Sequence, residues 1–221
     1  MGNCENIYVL QNTLKSNTNI GIDFNGNNGD SQSKSHDQPR FCVAMHNYVE
    51  KSVCPYDTGD GIYADGARNI LISENTVTKS DCGIEVGAEA TESNNPVTNI
   101  VVENNKLIDN TEASIKVGGF ENECYYVKNT VFKNNIMTKA KSSIIIAKSD
   151  NITFIGNIIS GASNYFAETD DDIKRTYYKN LKFEKNTFKD FRGEKEFYFY
   201  KEEWSKSKFL SKYPHNTFKK K

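Results

Sequence analysis

Charged and aromatic side chains recur at one position of a short apolar phrase. The phrase is GIDF at 21–24, GIYA at 61–64, GIEV at 83–86 and SIKV at 114–117. Because side chains alternate between the two faces of a strand, the third residue of each phrase faces away from its apolar neighbours. These outward residues are Asp23, Tyr63, Glu85 and Lys116. Such a column offers carboxylates for acid–base chemistry or cation binding, and an ammonium to pair with them.

More acidic residues surround the second and third phrases. They are Asp57, Asp60, Asp65, Asp81 and Glu89. If the phrases are neighbouring parallel strands, the Cα atoms of Glu85 and Lys116 lie roughly 5 Å apart, and those of Asp65 and Glu85 roughly 8 Å apart. A Glu–Lys pair across strands is also an ordinary feature of a soluble sheet surface, so a purely structural role for this pair stays open.

A second phrase, with asparagine at its seventh place, recurs along the whole chain. Its seven copies are 6–14, 41–49, 69–77, 99–107, 129–137, 151–159 and 180–188. A recurrence every 22 to 35 residues or so indicates a solenoid, and an apolar period of two indicates strands. The asparagine is expected to adopt the left-handed conformation at a tight bend and to form a ladder of amides from coil to coil. Leucine-rich repeats and propellers fit this spacing poorly.

The composition of the chain argues against several classes of protein. The net charge of −1 gives no reason to expect a nucleic acid or membrane partner. No apolar run is long enough to span a bilayer, and no signal peptide opens the sequence. The five cysteines, an odd number without a CxxC pair, argue against a disulfide framework and a zinc site, and we expect buried thiols.

The segment DGIYADGARNILISENTVTKSDCGIEVGAE, at 60–89, resembles the repeats of the right-handed parallel β-helix, or pectate-lyase-like, superfamily. The resemblance covers roughly residues 3–190 and implies an all-β, single-stranded parallel β-helix of about seven coils with a C-terminal cap. It further implies a polysaccharide or oligosaccharide partner, bound in a groove along the third strand of each coil. The long loops 25–40, 50–60, 87–98 and 118–128 adjoin that strand.

The resemblance implies a polysaccharide lyase first. Such an enzyme removes the C5 proton of a uronic-acid polymer by β-elimination, with Lys116 as base beside Glu85. Asp23 and Asp65 would hold Ca²⁺, whose ligands are oxygens. Tyr63, Arg68 and Asp60 would contact the sugar. The usual arginine base of the largest lyase group is missing from the column.

Two other interpretations stay open. In a glycoside hydrolase, Asp65 and Glu85 would flank the glycosidic bond at a spacing suited to inversion. However, the adjacent aspartates and Gly-His-Gly of pectin hydrolases are missing, and the DDD at 170–172 is expected to be a solvated loop. In a non-catalytic solenoid that binds glycans or serves as a fibre, the carboxylates would all pair with lysines.

The two ends of the chain predict its domain organisation. The β-helix is expected over 1–200, and a cap around Trp204 with a basic tail over 201–221. The first coil begins near Met1 without a capping segment, and two expectations stay open: the natural protein is longer, or two chains associate end to end. The cellular location stays open, because the resemblance implies secretion and no signal peptide is visible.

Overall fold

The computed structural model describes residues 3–27, 29, 36–87, 89, 95–193 and 195–219. It contains 24 strands, one α-helix, α1 (Lys206–Lys212), and a 3-10 helix (Arg175–Tyr177) within this part of the chain. The first twelve strands are β1 (Tyr8–Leu10), β2 (Thr13–Asn17), β3 (Ile22–Asn25), β4 (Arg40–Met45), β5 (Tyr48–Ser52), β6 (Asp60–Asp65), β7 (Arg68–Ser73), β8 (Thr76–Thr78), β9 (Cys82–Gly87), β10 (Val97–Glu103), β11 (Lys106–Ile108) and β12 (Ala113–Gly118). The others are β13 (Val127–Lys133), β14 (Ile136–Thr138), β15 (Ser142–Ile146), β16 (Ser149–Ile155), β17 (Ile158–Ser160), β18 (Ala167–Thr169), β19 (Tyr178–Lys179), β20 (Lys182–Glu184), β21 (Thr187–Lys189), β22 (Phe197–Phe199), β23 (Glu202–Trp204) and β24 (Thr217–Lys219).

Each coil adds one strand to each of three parallel sheets, which confirms the predicted β-helix. Sheet A has the order β1-β4-β7-β10-β13-β16, after which β16 pairs with β19 and β20. Sheet B has the order β2-β5-β8-β11-β14-β17-β21-β24. Sheet C has the order β3-β6-β9-β12-β15-β18-β22-β23, and only its last pair is antiparallel among the described strands.

The interior is a stack of side chains that are in register from coil to coil. In sheet C the second residue of each phrase is fully or almost fully buried, as predicted from the period of two. These residues are Ile22, Ile62, Ile84, Ile115 and Ile144. Toward the C-terminal end the core becomes aromatic. Phe132, Phe154 and Phe183 stack with ring centroids 4.8 and 4.9 Å apart.

The predicted asparagine ladder runs along the turn between sheets A and B. Asn105, for example, donates to Asn135 Oδ1 at 3.0 Å and accepts from the Asn75 amide nitrogen, also at 3.0 Å. The ladder also has an eighth member, which the sequence pattern did not reveal. Asn186 Nδ2 donates to Asn216 Oδ1 at 2.9 Å, because β24 adds a further strand to sheet B.

The prediction that the ladder asparagine itself adopts the left-handed conformation was wrong. The left-handed residue is the one before the ladder asparagine, as at His46, Glu74 and Asn104, whose φ angles are 57°, 55° and 58°. The ladder asparagine therefore contributes through its side-chain amide, which hydrogen-bonds to buried polar groups of neighbouring coils. The asparagines that begin the phrases, such as Asn69 and Asn99, do have positive φ, at 53° and 59°, a region that asparagine tolerates better than most residues.

The last coil is covered by α1 and its flanking strands. Phe209 of α1 is fully buried, and its ring stacks on Phe197 with centroids 3.9 Å apart. Ser205 caps the helix by accepting a bond from the Lys208 backbone amide at 3.3 Å. Lys219, predicted to lie in a solvated tail, ends β24 beside Lys189. The tail positions 220 and 221 lie outside the described residues, and the domain boundary at residue 200 stays a prediction.

Candidate functional site in sheet C

The outward column of sheet C has the register predicted from the sequence. Asp23 pairs with Tyr63, Tyr63 with Glu85, and Glu85 with Lys116 on successive coils. In the neighbouring column Asn25 pairs with Asp65. Parallel pairing in register is what brings these residues, far apart in sequence, onto one face.

A cavity of about 280 Å³ opens on this face. Six of the seven predicted site residues line it, namely Asp23, Asp60, Tyr63, Asp65, Glu85 and Lys116. Asp57, Thr58, Glu89, Asn19, Ile20 and Asn25 complete the lining. Arg68 is not among the lining residues; it begins β7 in sheet A, beside Arg40. Its role in sugar binding stays a prediction without support from this geometry.

Lys116 and Glu85 form an ion pair in the wall of the cavity. Lys116 Nζ lies 3.2 Å from Glu85 Oε2, and it donates to Thr58 Oγ1 at 3.3 Å. The ammonium also lies 4.7 Å from the centroid of the Phe120 ring. Burial alone would lower the pKa of Lys116, but the Glu85 carboxylate and weaker acidic neighbours outweigh it, so the pKa is raised. Lys116 is therefore a protonated cation at neutral pH.

Asp60 lies next to this pair. The next residue, Gly61, faces the core, since a Cβ there would meet Val77 Cγ1 at 2.1 Å. Asp60, the residue before Gly61, lines the cavity, and its carboxyl group donates to the Glu85 carboxylate and accepts from the Cys82 thiol. Burial raises its pKa well above the ordinary value, and the charge of Glu85 raises it further. Asp60 thus keeps a proton while Glu85 faces the ammonium.

Asp60, Cys82 and Glu85 also come close enough to be considered as metal ligands. One ligand atom from each lies within 4.8 Å of the others, and all three residues are buried. However, burial raises the pKa of Cys82 well above its ordinary value, and Lys116 already faces Glu85. In this arrangement a proton and an ammonium balance the acidic charge. A buried thiol also suits Ca²⁺ poorly, since that ion prefers oxygen ligands.

Asp65 and Asp23 occupy the other end of the cavity. Burial, together with the charges of Glu89 and Asp23, raises the pKa of Asp65 to about 8. Burial likewise raises the pKa of Asp23 to about 6. Asn25 Nδ2 donates to Asp65 Oδ2 at 2.6 Å and holds that carboxyl in place. Asp65 is therefore largely protonated at neutral pH. The two carboxyls predicted to hold a cation do offer oxygen donors, the kind that Ca²⁺ takes.

Tyr63 forms the floor between the two groups of acids. Its side chain is only 3% exposed, and its hydroxyl donates to Glu89 Oε1 at 3.0 Å. Gly87 permits this position, because a Cβ there would lie 2.3 Å from the Tyr63 hydroxyl oxygen. With so little of its ring exposed, Tyr63 offers little surface for a sugar to stack on.

The groove continues onto later coils. A second cavity, of about 360 Å³, is lined by Ile145, Glu168 and Tyr198, which extend the same column. Tyr198 stacks on Tyr165 with centroids 5.4 Å apart. The acidic run at 170–172, predicted to be a solvated loop, lines this cavity as well. The two cavities meet where Thr58 Oγ1 donates to Glu112 Oε2 at 3.2 Å.

The long loops predicted beside the groove are present where the structure describes them. The loop before β6 covers 53–59, and Asp81 Oδ2 fixes it by accepting from the Cys54 and Gly59 amides at 2.9 and 3.0 Å. Asp81 thus has a structural role. The loop after β12 covers 119–126. The predicted loops 25–40 and 87–98 lie partly outside the described residues.

Sequence reasoning missed Cys82 and Thr58. The alignment of DGIYAD at 60–65 with CGIEVG at 82–87 contained a signal for the first, since it sets Cys82 in register with Asp60. Thr58 lies in a loop without periodicity, so its contact with Lys116 had no sequence signal.

Comparison with known proteins gives a family and one curated relative. A family model described as a right handed beta helix region matches residues 61–209, more than half of the chain. The uncharacterized protein YwoF of Bacillus subtilis (strain 168) is 31% identical over 141 residues, which are 62% of this chain and 30% of that protein. The chain thus spans less than a third of the length of this relative. No solved structure matches the chain significantly.

Among the described residues, no helix combines the length and the apolar composition that a bilayer-spanning helix needs.

Proposed function

The chain belongs to the right handed beta helix family. We propose that it is a carbohydrate-active enzyme that cleaves a glycan bound along sheet C. The family fits either a carbohydrate-active or a structural β-helix. The observation that carries the enzymatic proposal is the charge state of the first cavity. It combines a carboxyl that is protonated at neutral pH, Asp65, with a carboxylate that faces an ammonium, Glu85.

Acid–base cleavage requires two such carboxyls with different proton affinities. We assign Asp65 as the general acid that protonates the leaving oxygen, because its pKa of about 8 keeps it protonated. We assign Glu85 as the partner that activates water. Burial raises the pKa of Glu85, and the Lys116 ammonium that faces it opposes this shift. From the strand register their Cα atoms are roughly 8 Å apart, and side chains at this Cα spacing can reach the roughly 6.5–9.5 Å that separates the carboxyl groups of inverting glycosidases.

The acidic lining of the cavity indicates which class of glycan it binds more favourably. Among the described residues that line it, six carry carboxyl groups and Lys116 is the one lysine. A polymer of uronic acids would bring further negative charge into this site, at an electrostatic cost that an uncharged sugar avoids. We therefore favour hydrolysis of a neutral glycan.

The polysaccharide lyase is the second candidate, favoured by the mutual repulsion of Asp23, Asp65 and Glu89. A Ca²⁺ ion held by Asp23 and Asp65 would relieve this repulsion and neutralise the substrate carboxylate. Lys116 would then have to act as the base, but its raised pKa keeps it protonated at neutral pH, and an ammonium cannot accept the C5 proton. For this reason we place β-elimination after hydrolysis.

One assay separates the candidates. The protein is incubated with a panel of neutral and uronic-acid polysaccharides, with Ca²⁺ or EDTA. New reducing ends on a neutral glycan support hydrolysis, whereas Ca²⁺-dependent ultraviolet absorbance of an unsaturated uronate supports the lyase. Binding without either product would favour a non-catalytic scaffold and overturn the enzymatic proposal.

Two substitutions assign the roles. Asp65→Asn should abolish cleavage and leave glycan binding intact, since the amide keeps the bond from Asn25 but carries no acidic proton. The matched control is Asp109→Asn, at an exposed turn outside the cavity, which should keep full activity. Full activity in Asp65→Asn would refute the assignment of the acid.

A further inference from the structure

Two of the five cysteines meet between the first and second coils. Cys4 Sγ and Cys42 Sγ lie 3.7 Å apart, with Cys42 buried in β4 and Cys4 half-buried. None of the five cysteines is disulfide-bonded in this structure. The other three lie in loop 53–59, in β9 and in loop 119–126. Cys4 and Cys42 are therefore a specific pair.

The backbone around the pair is held in place. The Arg40 amide donates to the Cys4 carbonyl at 2.9 Å, and the Asn6 amide donates to the Arg40 carbonyl at 3.2 Å. An ion pair of 2.5 Å joins the Arg40 and Glu5 side chains between the same two segments. A disulfide has an S–S distance of about 2.05 Å, so the sulfurs need to approach by less than about 2 Å. Side-chain rotation supplies a movement of that size.

We propose that Cys4 and Cys42 are a modification site, at which a low-molecular-weight disulfide such as oxidised glutathione oxidises the two thiols. The Cys4–Cys42 disulfide that results links coil one to coil two. The proposal is independent of the proposed function. Cys4, the more exposed thiol, loses its proton and attacks one glutathione sulfur; a mixed disulfide forms and one glutathione thiolate leaves. Cys42 then loses its proton and attacks the Cys4 sulfur, which releases the second glutathione. Two cysteine thiols are oxidised, and one glutathione disulfide is reduced to two thiols that take up the two protons.

The chemistry of the pair sets the pH dependence of this reaction. Burial raises the pKa of Cys4 to about 11, and the hydrogen bond with Cys42 contributes in the same direction. Because the thiolate is the attacking form, cross-linking is slow at neutral pH and accelerates as the pH rises.

The cross-link would also restrain one wall of the sheet C cavity. Next to Cys4, the Asn3 amide donates to the Asn25 carbonyl at 3.1 Å. The Asn25 side chain in turn holds Asp65 at 2.6 Å. A covalent link at Cys4 therefore opposes separation of coil one, which carries Asp23 and Asn25, from coil two.

The test is oxidation of the full chain with oxidised glutathione, followed by alkylation and peptide mapping. The expected result is a cross-linked peptide that contains Cys4 and Cys42, with three of the five thiols still alkylated. The melting temperature should rise, and hydrogen exchange of the amides in β3 should slow. Both changes should reverse with dithiothreitol.

Two variants serve as controls. Cys4→Ser should prevent the cross-link and the stabilisation, whereas Cys54→Ser, in the loop 53–59, should retain both. Five alkylated thiols in the wild type after oxidation at alkaline pH would overturn the proposal. Glutathione retained on Cys4 without a cross-link would overturn it as well. The peptide map of the wild type gives this answer even if Cys4→Ser does not fold.

Discussion

Lys116 Nζ lies 3.2 Å from Glu85 Oε2, and the two side chains are only 12% and 5% exposed. Two charges at that depth depend on each other, because a buried charge without a partner has a large desolvation cost. The pair adjoins Asp60, which keeps its own proton. Lys116, Glu85 and Asp60 thus form one buried cluster whose charges compensate each other, rather than a set of independent surface charges.

A double-mutant cycle on this pair should therefore show strong coupling. Lys116→Met leaves Glu85 buried without its cation and should lower the free energy of unfolding by about 3–5 kcal/mol. Adding Glu85→Gln removes the unpaired charge, so the double variant should be more stable than the sum of the single losses predicts. The measurement is urea unfolding of all four proteins. Additive losses would show that solvent screens the pair.

The raised pKa of Asp65 predicts that stability falls with pH. The carboxyl keeps its proton in the folded state up to a pKa of about 8, while its ordinary value is 3.8. The folded state therefore binds more protons between these values, and its stability decreases as the pH rises from about 4 through 8. Asp65→Asn should flatten that part of the curve and raise the melting temperature at pH 8. An unchanged pH profile would contradict the raised pKa.

The period of two was sufficient to predict the sheet C column from the sequence. The period determines which residues face outward, and this is enough to align Asp23, Tyr63, Glu85 and Lys116 in one column, as the strand register confirms. The second cavity could not be predicted in this way. It depends on how the loop 170–177 folds back beside Tyr198, and such a loop carries no repeat.

The charge states of the site residues could not be predicted from the sequence either. Lys116 was predicted to act as a base, which needs a moderately depressed pKa. Its pKa is instead raised, because Glu85 and other acids outweigh the desolvation that acts in the opposite direction. That balance depends on three-dimensional distances and burial.

The left-handed residue before each ladder asparagine could not be predicted from the sequence pattern, since its identity varies from coil to coil.

The asparagine ladder should contribute unequally along its length. Asn105 is fully buried; it donates to Ile72 and Asn135 and accepts two bonds from Asn75. Asn105→Ala leaves buried partners without bonds, at about 1–3 kcal/mol each, so a total loss of at least about 3 kcal/mol is expected. Asn12→Ala is the matched control at the exposed first coil, with an expected loss of about 1 kcal/mol. Equal losses at the two positions would argue against a cooperative ladder.

The aromatic cap should be needed for the stability of the last coil. Phe209 is fully buried, and its ring contacts Phe197 and Phe188 at centroid distances of 3.9 and 5.4 Å. Phe209→Ala should cost about 3–5 kcal/mol, since it removes a buried aromatic ring. Tyr56→Ala, at a side chain that is 96% exposed, should change stability by less than about 0.5 kcal/mol. Thermal unfolding compares the two variants. Gel filtration tests a second consequence, because a loosened cap exposes apolar strand edges and should promote self-association. A monomeric Phe209→Ala protein with wild-type stability would show that α1 does not cap the solenoid.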